Sequence, residues 1–210
     1  MKKPKGKKFQ RRADARPDEV LDAALDLFIA KGFTAARVQD IAEKAGLSKG
    51  TVYLYFPSKE AILEALVKRA IVPLVQSAAV AAAKEDGDPR EVLTAIITFL
   101  ASGLSNPRNA AIPRLILSEA GNFPGLAAMY RRDVIDRGLK TLTSVIERGI
   151  RHRVFRPVEP KSAVKNIIGP VMVNALMAQV FGFAQPDPEA FAKQHLDILM
   201  NGLATNKEAG

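Results

Sequence analysis

Between Lys49 and Lys59 the chain sets a lysine, a glycine, a threonine, two tyrosines and a second lysine in the stretch KGTVYLYFPSK. Those types suit a nucleic acid. Cations and phenols reach phosphate oxygens, threonine offers a hydroxyl and a methyl to base edges, and glycine lets backbone come close. Catalysis has far less to work with: the only histidines, His152 and His195, are isolated, and there is no cysteine. No Ser/His/Asp or Cys/His set and no metal-ligand spacing can be assembled from them. The expectation is a protein that is not an enzyme and uses no cofactor or metal.

These residues need two short helices to position them. Val38, Ile41, Ala42 and Ala45 fall at i, i+3, i+4 and i+7, one apolar face of a helix. Gly46 ends that helix, since glycine takes the left-handed conformation without a Cβ penalty. Ser48 then reads as the N-cap of the next helix, with Leu47 and Val52 placed to staple it. Val52 and Phe56 point back to the first helix, where Ala42 is small enough for close approach. Lys49, Gly50, Thr51, Tyr53 and Tyr55 are left off the buried stripe. In a helix-turn-helix the second helix lies in the major groove and reads bases with its N-terminal residues. Lys59, opening the following helix, adds a phosphate contact from the far side of the groove.

The segment GFTAARVQDIAEKAGLSKGTVYLYFPSKEAIL, Gly32 to Leu63, resembles the DNA-binding domain of the TetR family of transcriptional repressors. The helix from Pro17 to Lys31 fits that family's first helix. The resemblance covers roughly the first 65 residues and implies a DNA-binding homodimer whose variable remainder binds inducers. By position it puts the DNA contacts on Arg37, Lys49, Gly50, Thr51, Tyr53, Tyr55 and Lys59. One departure stands out: the family's capping threonine at the start of the motif's first helix is Ala36 here. Thr34 is a substitute cap, and Arg37 a substitute phosphate contact.

Charge and length frame the rest. The chain has 210 residues, 48% hydrophobic, with a net charge of +9, enough for a real core. Eight Lys or Arg and a single acid lie within residues 1–16. Such a segment cannot bury enough surface to fold, so it reads as a disordered basic arm able to lie on phosphates or enter a minor groove. Residues 17–65 form the helix-turn-helix domain and 66–210 a larger helical effector-binding and dimerisation domain. The fold class is all-α. Absent cysteine, a membrane span or a signal peptide, the expected location is the cytoplasm.

In the second domain a long helix after Ser58 should kink at Pro73, and its tilt would change the separation of two heads. Asp88-Pro89 starts a helix that ends near Asn106-Pro107. A short helix covers Pro113 to Ala120, and a long one runs from Phe123-Pro124 to Ile150. The segment SAVKNIIGPVMVNALMAQVFGF and the helix after Asp187-Pro188 are too apolar to face water, which points to a twofold dimer matching a palindromic site. Pockets in helical bundles lie between helices. Candidate lining residues are Phe99, Leu115, Ile116, Phe123, Met129, Tyr130 and Val134, with Glu119 or Asn174 as polar anchors. Glu119 could equally pair with Arg114 or face solvent. The ligand would be a small hydrophobic effector. A DNA-coating or architectural protein without an effector pocket, or an activator, is the alternative.

Overall fold

The computed structural model describes residues 6–83 and 87–203, with side chains for 16–83 and 87–201, and every regular element among them is helical. The helices are α1 (Gly6–Lys31), α2 (Val38–Lys44), α3 (Lys49–Tyr55), α4 (Lys59–Ala70), α5 (Val72–Ala82), α6 (Pro89–Ser105) and α7 (Pro107–Glu119). There follow α8 (Pro124–Tyr130), a π-helical turn (Arg131–Ile135), α9 (Asp136–Arg151), α10 (Pro160–Phe181) and α11 (Pro188–Leu203).

Several ends form where local chemistry requires them. Gly32 and Gly46 take positive φ, +81° and +67°, and stop α1 and α2. The Ser48 hydroxyl accepts from Thr51 N at 3.1 Å and the Ser58 hydroxyl from Ala61 N at 3.2 Å. Asp88 accepts from Arg90 N at 2.8 Å, with Pro89 at the first helical position. The break before Pro73 falls at Ile71, between α4 and α5. At the end of α9, Gly149 is obligatory, because a Cβ there would overlap the ring of Phe155.

Three expectations are corrected. α1 begins at Gly6 rather than Pro17, so its backbone is helical through much of the expected arm. The lysines, arginines and alanines before Pro17 are good helix formers, and a proline weakens a helix without always ending it. Residues 1–5 and the basic side chains up to Ala15 lie outside the described residues. α7 likewise starts at Pro107, capped by Asn106, and runs through Pro113. The long helix after Phe123 is interrupted by the π turn.

Two stretches, Lys59–Ala82 and Pro160–Phe181, are apolar and long enough to cross a bilayer. The first is broken at Ile71 and sinks Ile62, Leu63, Leu66 and Val67 into the core. One core unites the head with the second domain: Val20, Phe28, Phe33, Ile41, Val52 and Leu63 pack with Ile112, Leu115, Ile116, Leu126, Met129 and Tyr130 of α7 and α8. A second core joins α5, α6, α9, α10 and α11 through residues such as Leu93, Ile97, Ile146, Phe155 and Ile167.

Candidate nucleic-acid interface and ligand cavity

α2 and α3 pack as the apolar pattern requires. Ile41, Ala42 and Val52 are fully buried and Phe56 nearly so, which turns the opposite face of α3 outward. Lys49 and Gly50 are exposed, Thr51 and Tyr55 half-buried, and Tyr53 exposed at 44%. Lys49 Nζ stands 5.9 Å from the Tyr53 ring centroid. The Thr51 and Ser48 hydroxyls are 2.8 Å apart, so Thr51 is preset by the cap beneath it. A residue not singled out from sequence joins this face: Leu54 is 84% exposed. A bare leucine beside two tyrosines on a groove-sized helix offers an apolar surface of the kind that meets a thymine methyl.

Arg37 is exposed and is itself the N-cap of α2, with no side-chain cap hydrogen bond. Thr34 does not replace the missing cap; its hydroxyl donates instead to Glu119, at 3.3 and 3.2 Å to the two carboxylate oxygens. Lys59 is also reassigned. Its ammonium donates to the carbonyls of Phe33, Thr34 and Ala36 at 2.6, 3.0 and 3.1 Å and lies 4.6 Å from the Phe33 ring centroid. Partial burial lowers its pKa, opposed by the charges of Glu60 and Glu119. With three donors on three carbonyls, Lys59 has none left for a phosphate in this arrangement. It ties α4 to the loop that carries α2.

Charge pairs join the head to the second domain. Asp18, Asp22 and Asp26 form a stripe along α1. Arg69 of α4 bonds Asp18 and Asp22 at 3.2 and 2.7 Å, while Arg108 of α7 bonds Asp26 and also reaches Asp22. Lys44 of α2 is 3.3 Å from Asp26. Desolvation alone would raise the Asp26 pKa, but hydrogen bonds and charge from Arg108 and Lys44 outweigh it and hold the carboxyl below its ordinary value of 3.8.

A cavity of about 270 Å³ opens in the second domain. Ile71, Leu74, Val75 and Ala78 line it from α4–α5, Ile96, Leu100 and Leu104 from α6, and Pro113 and Leu117 from α7. Tyr130, Val134, Ile135, Gly138, Leu139 and Leu142 close it along α8, the π turn and α9, with Ile168 and Met172 from α10. Val134 and Ile135 of the π turn continue the stripe that Tyr130 opens and Gly138, Leu139 and Leu142 extend along α9. Leu117, Ile135 and Leu139 are at once lining and solvent-exposed, so they mark the mouth. Among the described residues no charged side chain lines it.

The cavity corrects most of the expected lining. Tyr130 and Val134 take part; Leu115, Ile116 and Met129 belong to the core shared with the head. Phe123 stands edge-on to Phe33 with centroids 5.2 Å apart, and Phe99 is 41% exposed outside the cavity. Asn174 borders a separate small crevice with Gln185 and Phe191. Glu119, buried to 8% exposure, holds Thr34 and accepts from Asn122 at 3.3 Å instead of anchoring a ligand. His195 is structural as placed: its Nε2 lies 2.8 Å from the Ile167 carbonyl, and its ring stacks on Phe191.

Comparison with known proteins covers both parts of the chain. The profile of bacterial regulatory proteins of the tetR family matches residues 20–66, and that of the tetracyclin repressor-like C-terminal domain matches residues 83–199. The chain is 25% identical over 185 residues to the fatty acid metabolism regulator protein of Bacillus subtilis, covering 88% of this chain and 94% of that one. It resembles the SmeT–triclosan complex with a TM-score of 0.78 at 21% identity, covering 92% and 93% of the two chains. FadR from Bacillus subtilis in complex with stearoyl-CoA gives a TM-score of 0.75 at 23% identity, over 88% and 98%. PfmR from Thermus thermophilus gives 0.70 at 27% identity, over 89% and 99%. With an outward-facing α3, an apolar cavity and profile matches along most of its length, the chain belongs to the TetR family of transcriptional regulators.

Proposed function

We propose that this regulator is a homodimeric repressor working in the cytoplasm, holding a palindromic operator with α3 of each subunit and releasing it when a hydrophobic small molecule fills the cavity. The carrying observation is that the reading head and the cavity share structure: α7 supplies Pro113 and Leu117 to the cavity and, at its end, Glu119 to Thr34 of the head. Lys49, Gly50, Thr51, Tyr53 and Leu54 read bases, with Arg37 and Tyr55 on phosphates. Lys59 supports them from behind.

Release requires the ligand to favour the arrangement of heads that does not fit DNA, since equal affinity for both states shifts nothing. A ligand parting α7 from α9 would strain the Thr34–Glu119 and Arg108–Asp26 contacts that set the head's angle. Support for an apolar ligand comes from the lining and from the triclosan and stearoyl-CoA carried by SmeT and FadR.

The dimer rests on an uncovered apolar face. Val173, Met177, Val180 and Phe181 of α10 lie at helical spacing and are 38–68% exposed, with the Phe183 ring 6.2 Å from that of Phe181 just beyond the helix. A lone head would bind weakly, whereas a twofold pair matches two half-sites. The test is a gel shift on the DNA upstream of the protein's own gene, repeated with a panel of lipophilic compounds. Specific binding relieved by at least one compound supports the reading. Equal affinity for random DNA overturns it and favours a coating protein.

A further inference from the structure

We propose that the Tyr130 hydroxyl is the polar anchor of the cavity, selecting a largely hydrocarbon ligand that carries one uncharged hydrogen-bond acceptor, such as a ketone, ester or ether oxygen. This rests on the reading of the cavity as the effector site and deepens it. Tyr130 lines the cavity yet is only 8% exposed, and its hydroxyl makes no hydrogen bond among the described residues. The hydroxyl is not among the fully buried unpaired atoms and so keeps accessible surface on an otherwise buried residue; a tyrosine hydroxyl set in an apolar wall ordinarily has a partner, and leaving it unpaired is unfavourable.

Every other lining side chain among the described residues is apolar, so no neighbour there can supply that partner. Ordered water is a poor substitute, because a buried water needs two to four polar contacts and this cavity offers one side-chain group. An organic ligand with an acceptor at the right depth satisfies the hydroxyl while its hydrocarbon fills the remainder. The phenol is neutral and able to donate at physiological pH at its ordinary value of 10.0, and burial, which pushes its pKa up to about 12, acts in the same direction.

The same lining sets what is refused. A carboxylate, phosphate or ammonium drawn inside would lose its hydration with no counter-charge, and a sugar or nucleotide would leave several groups unpaired. A charged portion of any ligand therefore stays outside the mouth formed by Leu117, Ile135 and Leu139.

The experiment uses the full chain, the fluorescent hydrocarbon amine 1-N-phenylnaphthylamine as reporter, and two competitors alike in carbon count, heptanophenone and heptylbenzene. Tyr130→Phe should weaken heptanophenone about tenfold, the worth of one net hydrogen bond, and leave heptylbenzene and the reporter unchanged. Its melting temperature should equal or exceed that of the unsubstituted protein, because the hydroxyl removed has no partner in the free state. Equal effects on the two competitors, no effect on either, or a clearly lowered melting temperature would overturn the proposal. If none of the three compounds enters the unsubstituted protein, the effector-site reading fails and this inference with it. Entry without discrimination overturns the inference alone.

Discussion

Filling the cavity from Gly138 should stabilise the regulator and make it deaf to its ligand. Gly138 lines the cavity, its φ is ordinary for a helix, and a Cβ there would meet no atom within 4 Å. In Gly138→Leu, removing a helix-interior glycine contributes about 1 kcal/mol. The position is half-buried, so the four added carbons contribute roughly half of about 0.8 kcal/mol each, near 1.5 kcal/mol. The sum, about 2.5 kcal/mol, corresponds to a rise of about 5–10 °C in Tm at matched protomer concentration. A ligand entering the narrowed space must displace the leucine, and overpacking of about 1–3 kcal/mol weakens it roughly 5- to 150-fold. Thermal melts by circular dichroism and titration with 1-N-phenylnaphthylamine read both effects, and operator binding should persist. A variant that melts no higher than the parent and takes up the reporter with unchanged affinity would refute the assignment of this space as an interior ligand site.

Leu54→Ala should leave the melt unaltered, since the side chain is 84% exposed, while operator affinity falls roughly tenfold through loss of apolar base contact; unchanged affinity would remove Leu54 from the reading face. Thr34→Val and Glu119→Leu should each destabilise by about 1–2 kcal/mol in urea titrations, and the double variant should lose clearly less than their sum, because either change removes the bond between the two side chains. Strict additivity would mean the junction is not a unit. For Asp26, the folded pKa lies below the ordinary aspartate value of 3.8, so its contribution is present above that value and lost as pH falls through the folded pKa. Between neutral pH and the acid limb, Asp26→Asn should flatten the acid loss of stability; a superimposable profile would contradict this.

Local signals carried far in this chain because they act within a few residues. Gly46, Ser48 and Ser58 set the turn and caps of the head from their own side chains and φ angles, and α3 stands where the apolar spacing of Val52 and Phe56 demands. What could not be read depended on distant partners. Lys59 looks like any lysine opening a helix until the carbonyls of Phe33, Thr34 and Ala36 converge on it. Glu119 is 85 positions from Thr34 in sequence, and nothing local aims it there. Leu54 has a core residue's chemistry on an exposed face, so type misled where position would not have. The cavity is the sharpest case: Leu115 and Met129 share their apolar spacing with Tyr130 and Val134, and only the packing of α4 to α10 decides which face empty space. The prolines at 17 and 113 read as helix starts, yet flanking helix formers and tertiary packing carried α1 and α7 through them.

The central claim, that paired α3 helices enter successive major grooves of a palindrome, is tested most directly by hydroxyl-radical footprinting on the DNA upstream of the protein's own gene. Two protected patches about one helical turn apart and symmetric about their midpoint are predicted, with Lys49→Ala/Tyr53→Ala abolishing both while the protein stays folded and dimeric. A single unsymmetrical patch, even protection along the duplex, or an unaltered footprint from the double variant would contradict it.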